Sequence, residues 1–525
     1  MKSNYFKYVF IVFAIAITIF AIVKIKSDEQ KKEAQIYEEK ELKEQEEIKE
    51  IKLGVASFDS INPILSQNKN VQDVTKIIFE PLMTLTVDYK IENCLAKECA
   101  KQNETTYIIK LRDDKKWSDG EDFTAEDVKY TIERLKDTTS IYTNNVQNIA
   151  SVEVVDNTTI RIILNQEIPF FEYNLTFPIL SSKYYSDKEF VPDIVPVGTG
   201  MYKVTNIEEN NLILEKNEYY PENEKLKLEK ITISTFSSVG ELYNAFKTGK
   251  IDIVGTQNSS LKDYIGTIGY QAQEMKGREH DFIALNTQNP ILSQISVRKA
   301  IGYSIDKANV TSSIYGDKYY TSSFPLDYGN WVYQEQDSSS GYNTEQAKQI
   351  LVDDGWTYRN KIWQKTINYR TQRINLNFVV KATDENRIRV AENIKAQLEN
   401  QGIRINIIQA QDEQYANILA TKNYDMILCS MNLSVSPDLS TFFGENNLAN
   451  YANADVTSIM NEVKNQTDET KLKESYKRLS EIYKSEMPYI SLYNNKYIFA
   501  YNNGLAGNVE ANWYYQFYGI SDWHK

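Results

Sequence analysis

The apolar residues along this chain follow two alternating periods. Apolar residues occupy every second position over 107–112, which predicts a short strand. Thr124 then precedes two acidic residues and an apolar series at helical spacing formed by Val128, Ile132 and Leu135. A threonine followed by acidic residues is typical of a helix N-terminus, because both satisfy or complement the free backbone N–H groups there. Strands and helices therefore alternate, and the pattern predicts an α/β fold.

The same alternation continues in the second half of the chain. A strand at 377–380 is followed by a helix with an apolar face over 390–398, which Gly402 ends, and by a strand at 403–408. A strand, a helix and a strand in this order predict a right-handed crossover and a parallel pair. A further strand is expected at 424–428.

Nearer the C-terminus, apolar residues at helical spacing over 472–483 predict a helix that Pro488 ends. A strand is expected at 489–493. No internal repeat and no long Pro/Gly linker is visible, so we expect lobes that interrupt one another and a chain that crosses between them more than once.

The N-terminus carries an apolar run over residues 8–23, followed by Lys24 and Lys26. The run is slightly short for a membrane span, but flanking lysines can extend it by reaching the interface. The residues at its end form a poor cleavage site, and no cysteine follows for a lipid anchor. We therefore expect an uncleaved signal-anchor over 1–26, which makes the protein a single-pass cell-membrane protein with its main domain on the extracytoplasmic face.

Residues 27–50 are almost entirely charged or amide-bearing. This composition predicts a solvated stalk, either helical or disordered, because no continuous apolar stripe is present. A coiled coil is disfavoured, since the heptad positions are not filled.

Composition limits the class of protein. The chain has 525 residues, of which 42% are hydrophobic and 25% charged, so it can bury a large core and form two or more lobes. Its net charge of −13 argues against a nucleic-acid partner, because a phosphate backbone requires a basic face.

Cysteine and histidine are scarce, with three and two residues respectively. None of them has the spacing of a zinc site or of a histidine-based catalytic triad, so we expect no metal site, no cofactor and no enzyme. Cys94 and Cys99 leave two alternatives open, which are a small-loop disulfide and two reduced thiols.

Four groups of segments along the chain form one ordered pattern. They lie at 61–66 with 78–83, at 110–120 with 123–128, at 196–202, and at 285–286 with 297–301 and 305–307. In this order they resemble the family 5 solute-binding proteins of bacterial ABC importers, whose members include oligopeptide- and dipeptide-binding proteins. We expect most of these segments to have packing or turn roles and not to contact the ligand. Trp117 and Phe123 are expected in the core, residues 118–120 in a turn, and Gly198 and Gly200 in a tight loop that enters a strand.

The resemblance implies a two-lobed periplasmic-binding-protein fold of type II, in the large peptide-binding class with an extra subdomain. Lobe I would comprise 51–79, 197–281 and 498–525, with the extra subdomain at 80–196, and lobe II would comprise 282–497. A hinge near residues 281 and 497 would close the lobes on a ligand.

The resemblance also implies the ligand and its contacts. The expected ligand is a short peptide, the expected protein partner is the permease of an ABC transporter, and the protein is expected to be a monomer. The candidate ligand-binding residues are Ser66, Gln67, Asn432, Ser434 and Asp438.

Asp438 is singled out because many family members hold the peptide ammonium with an aspartate just before a proline. Here that position is Ser436, and Asp438 follows Pro437 as the only carboxylate of the segment 430–442. Three alternatives stay open, which are an ammonium contact, a site that does not bind a free amino terminus, and a cap for the turn at 439–443. Nickel or haem binding, and a sensor that has lost transport, are the alternative functions.

Overall fold

The structure is a computed structural model that describes residues 31–32, 49–186, 188, 194–256, 269–316, 318–333, 341–367 and 369–525. The predicted signal-anchor at 1–26 and most of the predicted stalk lie outside the described residues. The first strand begins at Glu50, the last residue assigned to the stalk. Among the helices of the described residues, none is long and apolar enough to cross a membrane.

Twenty strands are formed by the described residues. They are β1 Glu50–Ala56, β2 Met83–Leu85, β3 Ile91–Asn93, β4 Ala96–Asn103, β5 Thr106–Leu111, β6 Ile149–Asp156, β7 Thr159–Leu164, β8 Tyr202–Glu208, β9 Asn211–Lys216, β10 Lys230–Phe236, β11 Ile253–Thr256, β12 Tyr270–Leu285, β13 Tyr319–Thr321, β14 Thr357–Arg359, β15 Ile362–Ile367, β16 Arg370–Arg373, β17 Asn375–Lys381, β18 Arg404–Ala410, β19 Met426–Asn432 and β20 Tyr489–Asn502.

The α-helices are α1 Lys69–Ile78, α2 Ala125–Asp137, α3 Thr143–Val146, α4 Ser182–Tyr185, α5 Val239–Lys247, α6 Ile295–Ser304, α7 Lys307–Tyr315, α8 Thr344–Asp353, α9 Glu385–Asn400, α10 Asp412–Thr421, α11 Ser440–Phe443, α12 Ala454–Val463 and α13 Glu469–Glu486. The alternation of these helices with the strands confirms the α/β class.

One large mixed sheet runs through the molecule in the order β18-β17-β19-β12-β20-β11-β1-β10-β9-β8, with β13 pairing with β20. The half formed by β8, β9, β10, β1 and β11 comes from the first part of the chain, and the half formed by β17, β18 and β19 comes from the last third. The two halves meet at β12 and β20, which pair with each other along most of their lengths. The chain therefore crosses between the two halves in two long antiparallel strands.

A separate four-stranded sheet has the order β4-β5-β7-β6 and lies within residues 96–164. Helix α2 belongs to this region, and Thr124 caps it in a reciprocal arrangement with Asp127, as expected from the threonine and the acidic first turn. Trp117 and Phe123 are buried beside it, with ring centroids 6.1 Å apart, which confirms their predicted place in the core.

Most of the predicted elements are present. Strands β17 and β18 are parallel and are joined by α9, which confirms the crossover, and Gly402 follows that helix with a φ of +81°. The strand expected at 424–428 begins two residues later, at Met426. The strand expected at 489–493 continues to Asn502.

Gly198 and Gly200 are required by close packing. A Cβ at Gly198 would lie 2.0 Å from the carbonyl oxygen of Ile78, and one at Gly200 would lie 2.4 Å from that of Ile77. The Gly200 amide donates to the Ile78 carbonyl at 2.8 Å. The loop at 196–202 is therefore held against the end of α1, which fixes the position of that helix.

Cys94 and Cys99 are both free thiols, which is the second of the two alternatives left open by their spacing. The Cys94 thiol lies 3.7 Å from a Glu80 oxygen. Burial, together with the neighbouring Glu80 carboxylate, raises the pKa of Cys94 well above its ordinary value, so the thiol stays protonated at neutral pH.

Candidate functional site

The pairing of β12 with β20 is irregular between Lys276 and His280, where the two halves of the sheet meet. Buried polar side chains replace the missing backbone pairing. The two ring nitrogens of His280 lie 3.2 Å from Asn494 Oδ1 and 3.2 Å from Ser491 Oγ, and Asn494 Nδ2 donates to the Gly277 carbonyl. Burial is the main cause that lowers the pKa of His280 to about 4, so the imidazole is neutral at physiological pH.

Arg278 lies inside this irregular stretch. It contacts residues on both sides of the place where β12 and β20 join the two halves of the sheet, which is called the junction below. Its Nη1 donates to the Leu433 carbonyl at 2.8 Å, just beyond the end of β19. Its guanidinium carbon lies 4.1 Å from the ring centroid of Trp513, in the C-terminal segment. Burial lowers the pKa of Arg278 from its ordinary value, yet an arginine at neutral pH remains charged.

Helix α1 adds two more cations on the same side. Lys69 lies four residues before Asp73 and Lys76 three residues after it, so all three share one face of the helix. The ammonium nitrogens of Lys69 and Lys76 lie 2.5 and 3.4 Å from the Asp73 carboxylate oxygens. Lys69 also lies 5.6 Å from the centroid of Trp513, the ring on which Arg278 stacks. Lys69, Lys76 and Arg278 are called the basic cluster below.

Aromatic rings surround the basic cluster. The Lys76 ammonium lies 3.8 Å from the ring centroid of Tyr514 and donates to the carbonyl of the same residue. Tyr89 and Tyr328 meet edge to face at 5.1 Å, so a ring from the first part of the chain contacts one from the second half. The electrostatic influence of Arg278 reaches both of these tyrosines. Large rings with polar tips suit a site that must bind a solute and remain partly wet.

Ser66 and Gln67 lie immediately before α1. Ser66 is fully buried, and its hydroxyl donates to Asp59 Oδ1 at 2.8 Å. Gln67 is exposed, and its backbone amide donates to Asp59 Oδ2 at 2.6 Å. The bonds of Ser66 hold the loop in place, whereas the Gln67 side chain faces solvent two residues from Lys69.

Asn432 and Ser434 are exposed at the end of β19, on the other side of Arg278. Ser434 Oγ lies 2.9 Å from Ser436 Oγ, and the Ser434 carbonyl accepts from Tyr328 at 2.7 Å. Arg278 thus bonds the carbonyl of Leu433, between Asn432 and Ser434, and the Trp513 ring beside Arg278 is also close to Lys69, two residues after Gln67.

Asp438 lies further along the same loop. Its Oδ1 accepts from the Ser440 amide at 2.9 Å and from the Ser440 hydroxyl at 2.5 Å, at the start of α11. This is the geometry of the turn-capping alternative. Oδ2 of Asp438 has no hydrogen bond within the described residues, and a role of this residue towards a ligand stays a prediction.

Sequence reasoning missed the basic cluster and Trp513. Their positions are separated by hundreds of residues, and no motif joins them. The one available signal is the polar stretch at 271–281, which contains lysine, arginine, histidine and three acidic residues and lies in β12, the strand that joins the two halves of the large sheet together with β20. Buried polar side chains in such a strand, here His280 and Asp281, indicate a functional junction.

No group of three or more His, Cys, Asp or Glu side chains that could hold a metal ion occurs among the residues that the structure describes.

Comparison with known proteins gives consistent matches over most of the chain. The family described as "Bacterial extracellular solute-binding proteins, family 5 Middle" matches residues 90–453. Heme-binding protein A of Haemophilus influenzae is 24% identical over 449 residues, covering 79% of each chain. The nickel-binding periplasmic protein of Escherichia coli is 26% identical over 372 residues, covering 67% of this chain and 69% of the relative.

Solved structures show the same fold. The periplasmic murein tripeptide binding protein MppA, in its unliganded open form, superposes with a TM-score of 0.77 at 20% identity, covering 91% of this chain and 98% of that protein. The fold is therefore that of the two-lobed periplasmic binding proteins.

Proposed function

Because this chain belongs to family 5 of the bacterial extracellular solute-binding proteins, a family that serves ABC importers, we propose that its solute is a short peptide. The observation that carries this proposal is the junction at β12 and β20. There, Arg278 bonds the Leu433 carbonyl just beyond β19, and the Trp513 ring lies close to both Arg278 and Lys69 of α1. Edge strands and loop amides bind a peptide main chain, and wet, tolerant pockets accept varied side chains.

The proposed lobes follow the boundaries implied by the sequence. Lobe I is 51–79, 197–281 and 498–525, the extra subdomain is 80–196, and lobe II is 282–497. Residues 281 and 497 both lie within the paired strands β12 and β20, in or next to the stretch of irregular pairing. Such a stretch can absorb the backbone rotation of a hinge, because few regular ladder bonds must break there.

The proposed ligand contacts are Gln67, Asn432, Ser434 and Asp438, with Ser66 holding the loop that presents Gln67. If Asp438 binds the peptide ammonium, its free Oδ2 is the contacting atom, since Oδ1 is bonded to Ser440. Trialanine and its N-acetylated twin, each titrated into wild type and Asp438→Asn, test this role. Removing one partner of a buried ion pair costs about 3–5 kcal/mol. Unchanged affinity after both acetylation and substitution would exclude Asp438 as the ammonium contact.

Membrane attachment through residues 8–23 completes the proposal, with the binding domain on the extracytoplasmic face. The apolar run without a following cysteine or good cleavage site supports it. Cell fractionation with N-terminal sequencing checks it. A mature chain in the soluble fraction that starts near residue 24 would contradict it.

The test of the peptide function is a thermal-shift comparison of the purified full-length chain in detergent. A ligand at 100 times its Kd stabilises the protein by about 2.7 kcal/mol. A pool of di- to hexapeptides should therefore raise the melting temperature by a degree or more, and nickel, haem and chelators should not. A shift with nickel or haem and none with peptides would replace the peptide by one of those solutes.

A further inference from the structure

The basic cluster is an unbalanced group of charges in an acidic protein. The whole chain has a net charge of −13, yet Lys69, Lys76 and Arg278 come together beside a single carboxylate, that of Asp73. Within the described part of the chain, Asp73 is the only carboxylate in a salt bridge with any of the three. When all three side chains are protonated, three cations and one anion leave a local excess of two positive charges at the junction.

Arg278 has the greatest unused bonding capacity of the three. A guanidinium offers five N–H donors, and the Leu433 carbonyl takes one of them. The Nε atom is buried and has no hydrogen-bond partner in the described structure. Arg278 as a whole is half-buried, and a partly desolvated cation without an anionic partner is costly, so its presence at this position indicates that a partner arrives from outside.

The two lysines show the same imbalance. Burial is the largest cause that lowers the pKa of both Lys69 and Lys76, and the neighbouring Arg278 charge adds to it. The pKa of Lys76 falls to about 7. Their side chains nevertheless keep 28% and 18% of their area exposed, so a solute can reach them.

We propose that Arg278, assisted by Lys69 and Lys76, binds a carboxylate of the captured solute at the junction of the two lobes. The inference rests on the proposed function for its site and adds the chemical class of the group that the site recognises. On a peptide this group is the C-terminal carboxylate or an acidic side chain.

Geometry favours a carboxylate. The Arg278 guanidinium lies over the Trp513 ring at 4.1 Å from its centroid, and a guanidinium held there presents two parallel donors that match two carboxylate oxygens. Arg278 also lies on the strand that crosses between the lobes and contacts residues from both sides of the junction. A bound anion there would favour the arrangement in which these groups are close together.

The test uses the full-length chain and four probes, which are trialanine, trialanine amide, Ala-Glu-Ala amide and succinate. Calorimetric titration compares wild type with Arg278→Gln, with Arg278→Lys and with the control Arg161→Gln. Arg161 is a half-buried arginine, as Arg278 is, and pairs with Glu153 on the separate four-stranded sheet, so its substitution removes the same charge far from the junction.

We expect wild type to bind trialanine more tightly than its amide. Arg278→Gln should weaken trialanine binding on the order of 10- to 100-fold, as expected for loss of hydrogen bonds to a charged group, and leave amide binding unchanged. The trialanine affinity of Arg278→Lys should lie between those of wild type and Arg278→Gln, and that of Arg161→Gln should match wild type. Tight, Arg278-dependent binding of Ala-Glu-Ala amide would identify an acidic side chain as the recognised group.

A second readout needs no substitution of Arg278. Because the pKa of Lys76 is about 7, the ratio of trialanine to trialanine amide affinity should fall as pH rises from 6 to 8, and Lys76→Gln should flatten this profile. The groups that face Lys76 are Asp73 and Lys69 on its own helix, and Arg278, Tyr514 and Tyr515 from other segments.

The outcomes separate the two proposals. Equal affinity for trialanine and its amide, with no effect of Arg278→Gln and a flat pH profile, would overturn the carboxylate site while the peptide function stands. Binding of succinate but of no peptide, lost in Arg278→Gln, would support the site while the peptide function fails. Binding of none of the four probes would overturn the inference.

Discussion

Asp127 holds the segment at 110–128 in place, and we expect its loss to lower the free energy of unfolding. Its carboxylate is buried and accepts five hydrogen bonds. Oδ1 accepts from the Ser182 amide at 2.7 Å and hydroxyl at 2.8 Å, and Oδ2 accepts from the Thr124 amide, the Thr124 hydroxyl and Trp117 Nε1 at 2.8, 3.3 and 3.2 Å. Asp127→Asn places an N–H₂ group where one of these oxygens was.

The loss in the free energy of unfolding depends on how the side-chain amide of the Asp127→Asn variant is oriented, and the orientation that keeps more hydrogen bonds sets its size. With the Asn oxygen kept at the Oδ2 position, the new N–H₂ faces the Ser182 amide, and one charge-assisted bond of about 1.5–3 kcal/mol is lost. The Ser182 amide is then buried without an acceptor, which adds about 1–3 kcal/mol. We expect a loss of about 2.5–6 kcal/mol in the free energy of unfolding, or about 2–5 °C in melting temperature for a chain of this length.

Glu126→Gln is the matched control, because Glu126 is the exposed neighbour of Asp127 on α2 and loses the same charge. Differential scanning calorimetry of wild type and both variants measures the effect, and calorimetric titration with trialanine measures ligand affinity. Asp127→Asn should lower the melting temperature and leave affinity unchanged, since the segment holds the subdomain together and does not touch the junction. Equal melting temperatures of the two variants, or a selective loss of affinity, would refute this reasoning.

Two further effects are expected on stability. Gly200→Ala should lower the free energy of unfolding by about 1–3 kcal/mol, because a Cβ there meets the backbone of α1 at 2.4 Å. Gly240→Ala is the control and should be neutral or stabilising, because the nearest atom to its Cβ lies 3.9 Å away. Equal melting temperatures of the two variants would contradict the close packing at Gly200. The folded pKa of His280 is about 4 and the unfolded value about 6.5, so the unfolded state binds the extra proton and stability should fall by up to about 3 kcal/mol between pH 6.5 and 4. Denaturant titrations of His280→Gln should lack this component, and an unchanged pH dependence in that variant would contradict it.

Elements with a clear apolar period could be predicted from the sequence, and the junction could not. Each of these elements buries one face, so its apolar residues recur at the spacing of a strand or a helix: β17, β18, α2, α9 and α13. Strand β12 was missed, and β20 was predicted only to residue 493. Both continue through the junction, where buried polar residues such as His280 and Asn494 satisfy one another and interrupt the apolar pattern.

The candidate site divides in the same way. Gln67, Asn432 and Ser434 were predicted from the resemblance, and their contact with a ligand stays a prediction. Arg278 and Trp513 could not be predicted, because the 4.1 Å contact between them joins positions 235 residues apart and depends on the whole sheet being formed. The resemblance identifies the fold through segments that pack, such as 110–128, whereas the groups that face the solute lie outside those segments.

Native mass spectrometry of the full-length chain, purified from its own cells without added ligand and then denatured, tests the central claim most directly. The account predicts that denaturation releases short peptides with free C-terminal carboxylates, and that Arg278→Gln retains less of them than Arg161→Gln. Release of a porphyrin or a nickel complex, with no peptide from either variant, would contradict it.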